Sequence, residues 1–299
     1  MIDLLIKGRT AFALGIPNLI RVIFYRLSIK FRLHPVQQLS ASIPKAPFFQ
    51  RGYFKSNCPP CSDDWQERAL YFGWMPRQLK TEPPDWYFNP FTSKSFNTST
   101  LEWWRILDFD GSVGDIKVIW EASRFNWVLA FAQKVKANDH SQLDRMNNWL
   151  EDWCINNPPY CGSNWKCGQE ASIRVMHLAM AALILEQTQN PAQGLIDLVK
   201  LHLQRIAATL SYAVAQDNNH GTSEAAALFI GGSWLELVGV NEGKSWHKLG
   251  RKWLKNRVFH LIENDGSFSQ YSVNYHRMML DTMCMVELWR RHLNLSPFP

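Results

Sequence analysis

The sequence has no apolar run approaching the roughly 20 residues that a membrane-spanning helix needs. It also lacks a complete metal-ligand motif. Cys58 and Cys61 form a CPPC pair without a matching half, and Cys161 and Cys167 stand six apart with no histidine-rich partner. Neither a metal nor a cofactor is expected. Six cysteines in 299 residues are too sparse for the disulfide framework of a small secreted domain, although either pair can close a disulfide in an exported protein. A cleavable signal peptide is poorly supported: the apolar stretch 11–16 is short, Asp3 sits where positive charge belongs, and Arg21 interrupts any extension. No nucleic-acid module is present and the basic residues are scattered along amphipathic segments, so nucleic acid is not an expected partner.

What is present indicates a soluble globular chain. With 46% hydrophobic and 19% charged residues, 299 residues can bury a substantial core as one large domain or two small ones. The net charge of +6 favours an acidic partner, which charge alone does not identify. Fourteen tryptophans exceed what such a core requires. Flat rings beside Arg and Lys suit a cleft that stacks sugar faces and holds carboxylates, even with most of the rings packing in the core.

Three regions follow from the pattern. Residues 1–34 read as a basic amphipathic helix, with Ile16, Leu19, Ile20, Ile23, Phe24, Leu27 and Phe31 at helical spacing among Arg21, Arg26, Lys30 and Arg32. Such a stripe ordinarily docks against the main domain; the alternative is an anionic membrane surface. Residues 35–101 are rich in proline and aromatics, which predicts an extended connector with short strands or turns whose aromatic side chains bury against the body that follows. Residues 102–299 form that body.

Helical periodicity runs through the body in seven segments: 118–132, 143–154, 171–185, 195–215, 222–238, 246–262 and 272–293. Short turns such as Asn190-Pro191 and Asp265-Gly266 separate them. The predicted class is all-α, with antiparallel helical hairpins assembled as an α/α barrel or superhelix.

The stretch DNNHGTSEAAAL from Asp217 to Leu228 carries the densest polar chemistry. Asn218, Asn219 and His220 crowd a turn, Gly221 relaxes the backbone, and Thr222 or Ser223 is placed to cap an alanine-rich helix. Glu224 lies four residues beyond His220, where it can fix the imidazole tautomer if the helix already includes His220. An ordinary N-cap with a satisfied histidine explains the same residues.

Three further polar clusters punctuate the helices: Asp115 to Glu121 with Arg124-Phe125, Cys167 to Arg174, and Asp265-Gly266-Ser267 through Asn274-Tyr275-His276-Arg277. Together with Asn218-Asn219-His220 through Glu224, and in this order, they resemble the N-terminal helical domain of the heparinase II/III-like polysaccharide lyases, a family that includes alginate lyases. The resemblance covers roughly residues 100–295. It implies an incomplete α/α toroid followed by a β-sandwich domain, an acidic polysaccharide as partner, and a periplasmic setting, where the sequence by itself points to a cytoplasmic or peripheral-membrane one. The chain carries no β-sandwich before Pro299, so a fragment or a truncated product, which eliminates slowly or not at all by itself, is the expectation.

The family's reaction is β-elimination at a 4-linked uronic acid. The C5 proton lies beside a carboxylate, and removing it requires that carboxylate to be neutralised or hydrogen-bonded. A base takes the proton and an acid protonates the leaving O4. By resemblance, Asn219 and His220 meet the carboxylate, Glu224 orients His220, and Tyr275 is the acid and also a candidate for the base. Tyr271 competes for that role, with His276 and Arg277 flanking. Glu121 with Arg124, and Glu170 with Arg174, have the spacing of intrahelical ion pairs. On a cleft they would instead grip substrate carboxylates or brace His220, with Trp120 and Trp165 as sugar-stacking candidates; core packing is the other reading of both rings. Two alternatives stand beside the lyase: a non-catalytic carbohydrate-binding remnant, and a membrane-surface component of exopolysaccharide metabolism.

Overall fold

The computed structural model describes residues 2–52, 65, 67–111 and 114–298, with the backbone alone for 2–14 and 110. Cys58 and Cys61 lie outside the described residues. Eight α-helices are present among those described: α1 Ile2–Lys30, α2 Asn126–Lys136, α3 Ser141–Asn156, α4 Gly168–Ile184, α5 Gln193–Ala215, α6 Asn219–Leu237, α7 Gly243–Leu261 and α8 Val273–His292. Among the described residues, strands are confined to three two-stranded antiparallel ribbons: β1 Arg68–Tyr71 with β2 Met75–Gln78, β3 Phe88–Asn89 with β4 Lys94–Ser95, and β5 Phe109–Asp110 with β6 Gly114–Asp115. The chain is all-α, and six of the seven helices after residue 115, α3 to α8, follow the segments that periodicity predicts.

The contacts divide the chain into two units. One comprises Ser40–His202 and Leu237–Val240; the other comprises Met1–Leu39, Leu203–Glu236 and Asn241–Pro299. In the unit built from residues 40–202, an aromatic core lies among α2, α3 and α4. Trp127, Trp149 and Phe131 meet edge to face or tilted, with centroids 5.2–5.8 Å apart, and Trp86 from the proline-rich segment packs on both indoles. Edge-on contacts of this kind align the positive ring edge with the negative face. The proline-rich segment is strapped down by polar bonds as well. Asn147 Oδ1 accepts the Phe48 and Phe49 amides at 2.8 and 2.9 Å, and Trp86 Nε1 donates to Asp152 at 2.6 Å. Not every aromatic buries, however: Trp74 and Phe91 stay exposed at the surface.

One predicted helix is broken. Where periodicity suggests a single helix across 118–132, two 3₁₀ turns, Ile116–Ile119 and Ala122–Arg124, precede α2. Between them and α2, Phe125 adopts a left-handed conformation (φ 64°, ψ 24°). The reason is packing: its ring is fully buried against Trp127 and Trp153, so the backbone bends to deliver it.

In the other unit, α6 and α7 form an antiparallel hairpin of close backbone approach. A β-carbon added at Gly250 would stand 2.2 Å from the Phe229 nitrogen, and one at Gly232 would stand 2.4 Å from the His247 nitrogen. Only glycine lets the two helices touch at these points. Gly250→Ala is therefore expected to destabilise by about 3 kcal/mol, because the obstacle is backbone that cannot rotate away. Urea unfolding checks this, and a loss under about 0.5 kcal/mol would show that the hairpin can part at no cost. Between them α6 and α8 enclose Trp234 and Trp289, the latter donating to Ser233 Oγ at 2.9 Å.

The amino-terminal stripe departs from the docking expectation. Gly15 (φ 75°, ψ 156°) breaks α1, and from there the helix docks through Val22, Tyr25, Ser28 and Ile29, with Tyr25 stacked on Tyr212 at 3.9 Å. Ile16, Ile20, Ile23, Phe24, Leu27 and Phe31 face solvent on the other side, leaving Leu19 as the one half-buried member of the predicted stripe.

Candidate functional site

Two polar constellations contain the predicted site residues, one in each unit. The first lies at the mouth of α6. The helix begins at Asn219, three residues before the predicted caps, and its cap is Asn218, whose Oδ1 accepts the His220 amide at 3.0 Å. Thr222 is inside the helix, with its hydroxyl buried and unbonded, and Ser223 is likewise interior. Gln270, from the α7–α8 loop, accepts the Asn219 amide at 2.9 Å, satisfying a second donor of the first turn. The Asn219 side chain is buried and reaches Met278 Sδ at 3.6 Å. Asn219 is thereby joined to residues on both sides of Tyr275 in the sequence.

His220 is partly exposed, and its Nδ1 lies 3.9 Å from the buried Glu224 carboxylate, one helical turn on. That is beyond hydrogen-bond reach, so the tautomer lock that the spacing allows is not made directly. Tyr275, in the first turn of α8, is 40% exposed, whereas Tyr271 precedes the helix at 92%. His276 is half-buried and Arg277 exposed. Below Asn219, the α6 turn is braced by Arg257 of α7, which donates to Asp217 Oδ1 and to the Val214 carbonyl. Gly221 is needed here for approach rather than for backbone freedom, since an added β-carbon would sit 3.0 Å from the Arg257 side chain.

The second constellation gathers Glu121, Arg124, Glu170 and Arg174, but not in the predicted pairs. Glu170 binds Arg124, Nε to Oε2 at 2.8 Å and Nη2 to Oε1 at 3.0 Å, rather than its i+4 neighbour Arg174. Arg124 Nη1 also donates to Glu121 at 2.8 Å, and the other Glu121 oxygen accepts the Phe72 amide at 2.9 Å. The charge of Glu170 raises the Arg124 pKa further above its ordinary value. One guanidinium held by two carboxylates leaves a local excess of negative charge. It is a clamp between segments, and Arg124 does not present a free fork to a substrate carboxylate.

Arg174 is fully buried, so it does not grip substrate from the surface. Its Nε donates to His202 Nε2 at 2.8 Å and its Nη2 to the Asn164 carbonyl at 2.8 Å. The guanidinium lies 5.0 Å from the Trp153 ring and 5.4 Å from that of Trp165. Trp165 is buried and bonded to the Asn157 carbonyl, and Trp120 is buried and bonded to that of Ser163; neither ring stacks on a sugar. His177 Nδ1 donates to the Arg124 carbonyl at 2.7 Å, joining the clamp to α4.

His202 is the residue that motif reading passed over. Nothing in the sequence marks it beyond an imidazole in an apolar helix. Its Nδ1–H donates to the Leu198 carbonyl at 2.7 Å and its Nε2 accepts from Arg174, so the ring is neutral and of one tautomer. Burial, then the charge of Arg174, holds its pKa well below the usual value. His34 is lowered in the same direction by burial and by Arg205. A lowered folded pKa means that the unfolded chain takes up the proton first. Stability is then complete above the unfolded value near 6.5 and falls as pH drops below it, by up to about 1.4 kcal/mol per pH unit for each such group. Urea midpoints between neutral and mildly acidic pH should show this slope, and His202→Gln should reduce it. An unchanged slope in that variant would remove His202 from the account.

A cleft of about 370 Å³ in the proline-rich segment is lined by Tyr71, Arg77, Lys80, Glu82, Asp85 and Phe88 among others, and includes none of the predicted site residues. Among the described residues no group of three or more His, Cys, Asp or Glu is arranged to hold a metal ion. Cys154, Cys161, Cys167 and Cys284 are not joined in disulfides.

Residues 72–296 match the family model described as heparinase II/III N-terminus. The chain belongs to that family. The match takes in both constellations, from Phe72, whose amide Glu121 holds, to the end of α8. No curated protein and no solved structure matches the chain. Membership in the heparinase II/III N-terminus family relates the chain to polysaccharide lyases.

Proposed function

We propose that the chain binds a uronate-containing acidic polysaccharide and acts on it by β-elimination, through Asn219, His220 and Tyr275. The observation that carries this reading is the coupling of Asn219 to Gln270 and Met278, which ties the first turn of α6 to the segment bearing Tyr275. Helix starts carry partial positive charge, which suits a carboxylate. Family membership and the residue types supply the rest. An amide and an imidazole hydrogen-bond the uronate carboxylate, and the phenol delivers a proton to the departing oxygen. The Arg124 and Arg174 cluster acts here as internal bracing, and recognition falls to the α6 mouth with His276 and Arg277 beside it.

The test is binding of a panel of uronate polymers against neutral glucans, by calorimetry, with the full chain. Asn219→Ala and His220→Ala are each expected to weaken uronate binding by roughly tenfold or more, the usual cost of a lost bond to a charged group. Binding should also weaken as salt rises, because the charges concerned are partly exposed. Equal affinity for neutral and acidic polymers, or indifference to both substitutions, would overturn the reading.

A further inference from the structure

The solvent-facing side of α1 is apolar without interruption. Ile16, Ile20, Ile23, Phe24, Leu27 and Phe31 are each roughly half exposed or more. At about 100° per residue their side chains fall within one stripe, and Arg26 and Lys30 lie along one of its edges. The opposite side is already occupied by the packing of Val22, Tyr25 and Ile29, so the stripe is not a core face awaiting its partner within this unit.

The end of the helix is fixed. Arg32 takes a left-handed conformation (φ 57°), its amide bonds the Ile29 carbonyl at 3.1 Å, and the Leu33 amide bonds the Ser28 carbonyl at 2.8 Å. This is a Schellman closure, which keeps Phe31 in line with the stripe. Contiguous exposed apolar surface of this kind marks a site of association.

Charge identifies the occupant. Residues 1–39, which bear the stripe, contain six Lys or Arg and a single acidic residue, Asp3. Most of the +6 of the whole chain is thus matched by this one segment. Beyond the break at Gly15 the helix reaches about 24 Å, less than the roughly 30 Å hydrocarbon core of a bilayer. No helix among the described residues is long and apolar enough to cross a membrane. A short helix with an apolar face and basic flanks lies in the plane of a lipid interface.

We propose that α1 seats the protein on an anionic lipid surface, its stripe in the headgroup boundary and Arg26 and Lys30 against acidic headgroups. The proposal is independent of the elimination chemistry, and holds whether or not the α6 mouth acts on a uronate.

Vesicle sedimentation of the full chain tests it, with phosphatidylcholine vesicles compared with mixed phosphatidylcholine and phosphatidylglycerol. Partition should favour the acidic vesicles and fall with salt. Arg26→Gln with Lys30→Gln should weaken it there by roughly tenfold to thirtyfold, about fivefold for each basic residue near the surface. Ile20→Ser with Phe24→Ser should weaken it by about tenfold or more. All four positions are exposed or half-exposed, and Leu27→Ser with Phe31→Ser gives a second apolar pair should the first alter the circular dichroism. Absence of partition, or partition indifferent to both apolar pairs, overturns the proposal. So does a dimer in sedimentation equilibrium that the apolar substitutions dissolve while the vesicles recruit nothing, since the stripe would then belong to a second copy of the chain.

Discussion

Arg174→Met should lower stability by about 3–5 kcal/mol, more than any other single substitution in the unit formed by residues 40–202. The side chain is fully buried, and what surrounds it is arranged for a cation. His202 offers a lone pair to it, the Asn164 carbonyl accepts from it, and two indole faces lie within 5.4 Å. Methionine fills much of the volume but leaves those acceptors buried without a donor, and the cost of an orphaned polar group exceeds the net value of the bond that was lost. Lysine keeps the charge but concentrates it at one point, so it cannot serve acceptors that the planar fork meets in different directions. It too should be destabilising, by about 2 kcal/mol. Removing both partners, Arg174→Met with His202→Phe, should cost less than the sum of the single changes, because an apolar pair leaves no orphan on the imidazole side. Urea unfolding followed by tryptophan fluorescence measures all three. A loss below about 1 kcal/mol for Arg174→Met, or strict additivity in the double variant, would mean that the contacts around Arg174 are incidental.

The same residue shows where sequence reading stops. Helices were legible because burial repeats every 3.6 residues, and α3 to α8 fall within a few residues of the periodic segments. Partner choice was not legible. Spacing of i,i+4 allows Glu170 to meet Arg174, but Glu170 instead chelates Arg124, 46 residues away, and Arg174 turns into the aromatic core. A local rule states which side chains can meet and is silent on what the fold brings nearby. The helix at Asn219 failed for a related reason. Thr222 and Asn218 are both competent caps, and the choice was made by Gln270 from a loop 51 residues on, which satisfies the Asn219 amide. The amino-terminal stripe inverted the usual inference, since its most apolar side is the one that does not dock. The family, by contrast, was legible from four short motifs in order, although no one of them has a unique structural meaning.

Tyr275→Phe should reduce turnover on a uronate polymer by about 10²- to 10⁴-fold, the range for loss of a positioned proton donor, while changing affinity for the polymer by less than about threefold. In the elimination, the C5–H bond breaks as a base takes the proton, the electron pair forms the C4–C5 double bond, and the C4–O bond breaks to leave an oxygen that needs a proton. Stabilising the carboxylate, assigned above to Asn219 and His220, governs the first event; the phenol governs the last. The substitution removes one oxygen from a ring that is 40% exposed, so the fold has little to lose. Tyr271→Phe is the matched control. Its ring is 92% exposed ahead of α8, and an untethered phenol there cannot be held at hydrogen-bond distance from a departing oxygen. Ultraviolet absorbance of the unsaturated uronate reads the reaction, and calorimetry on the same variants reads binding. Full turnover in Tyr275→Phe would sink the assignment of the acid, and so would an equal fall in both tyrosine variants, since the exposed Tyr271 hydroxyl would then matter as much. If no uronate polymer yields unsaturated product with this chain, the chain does not carry out the elimination by itself. A salt-sensitive preference for acidic polymers that depends on Asn219 and His220 would then stand as the function of the α6 mouth.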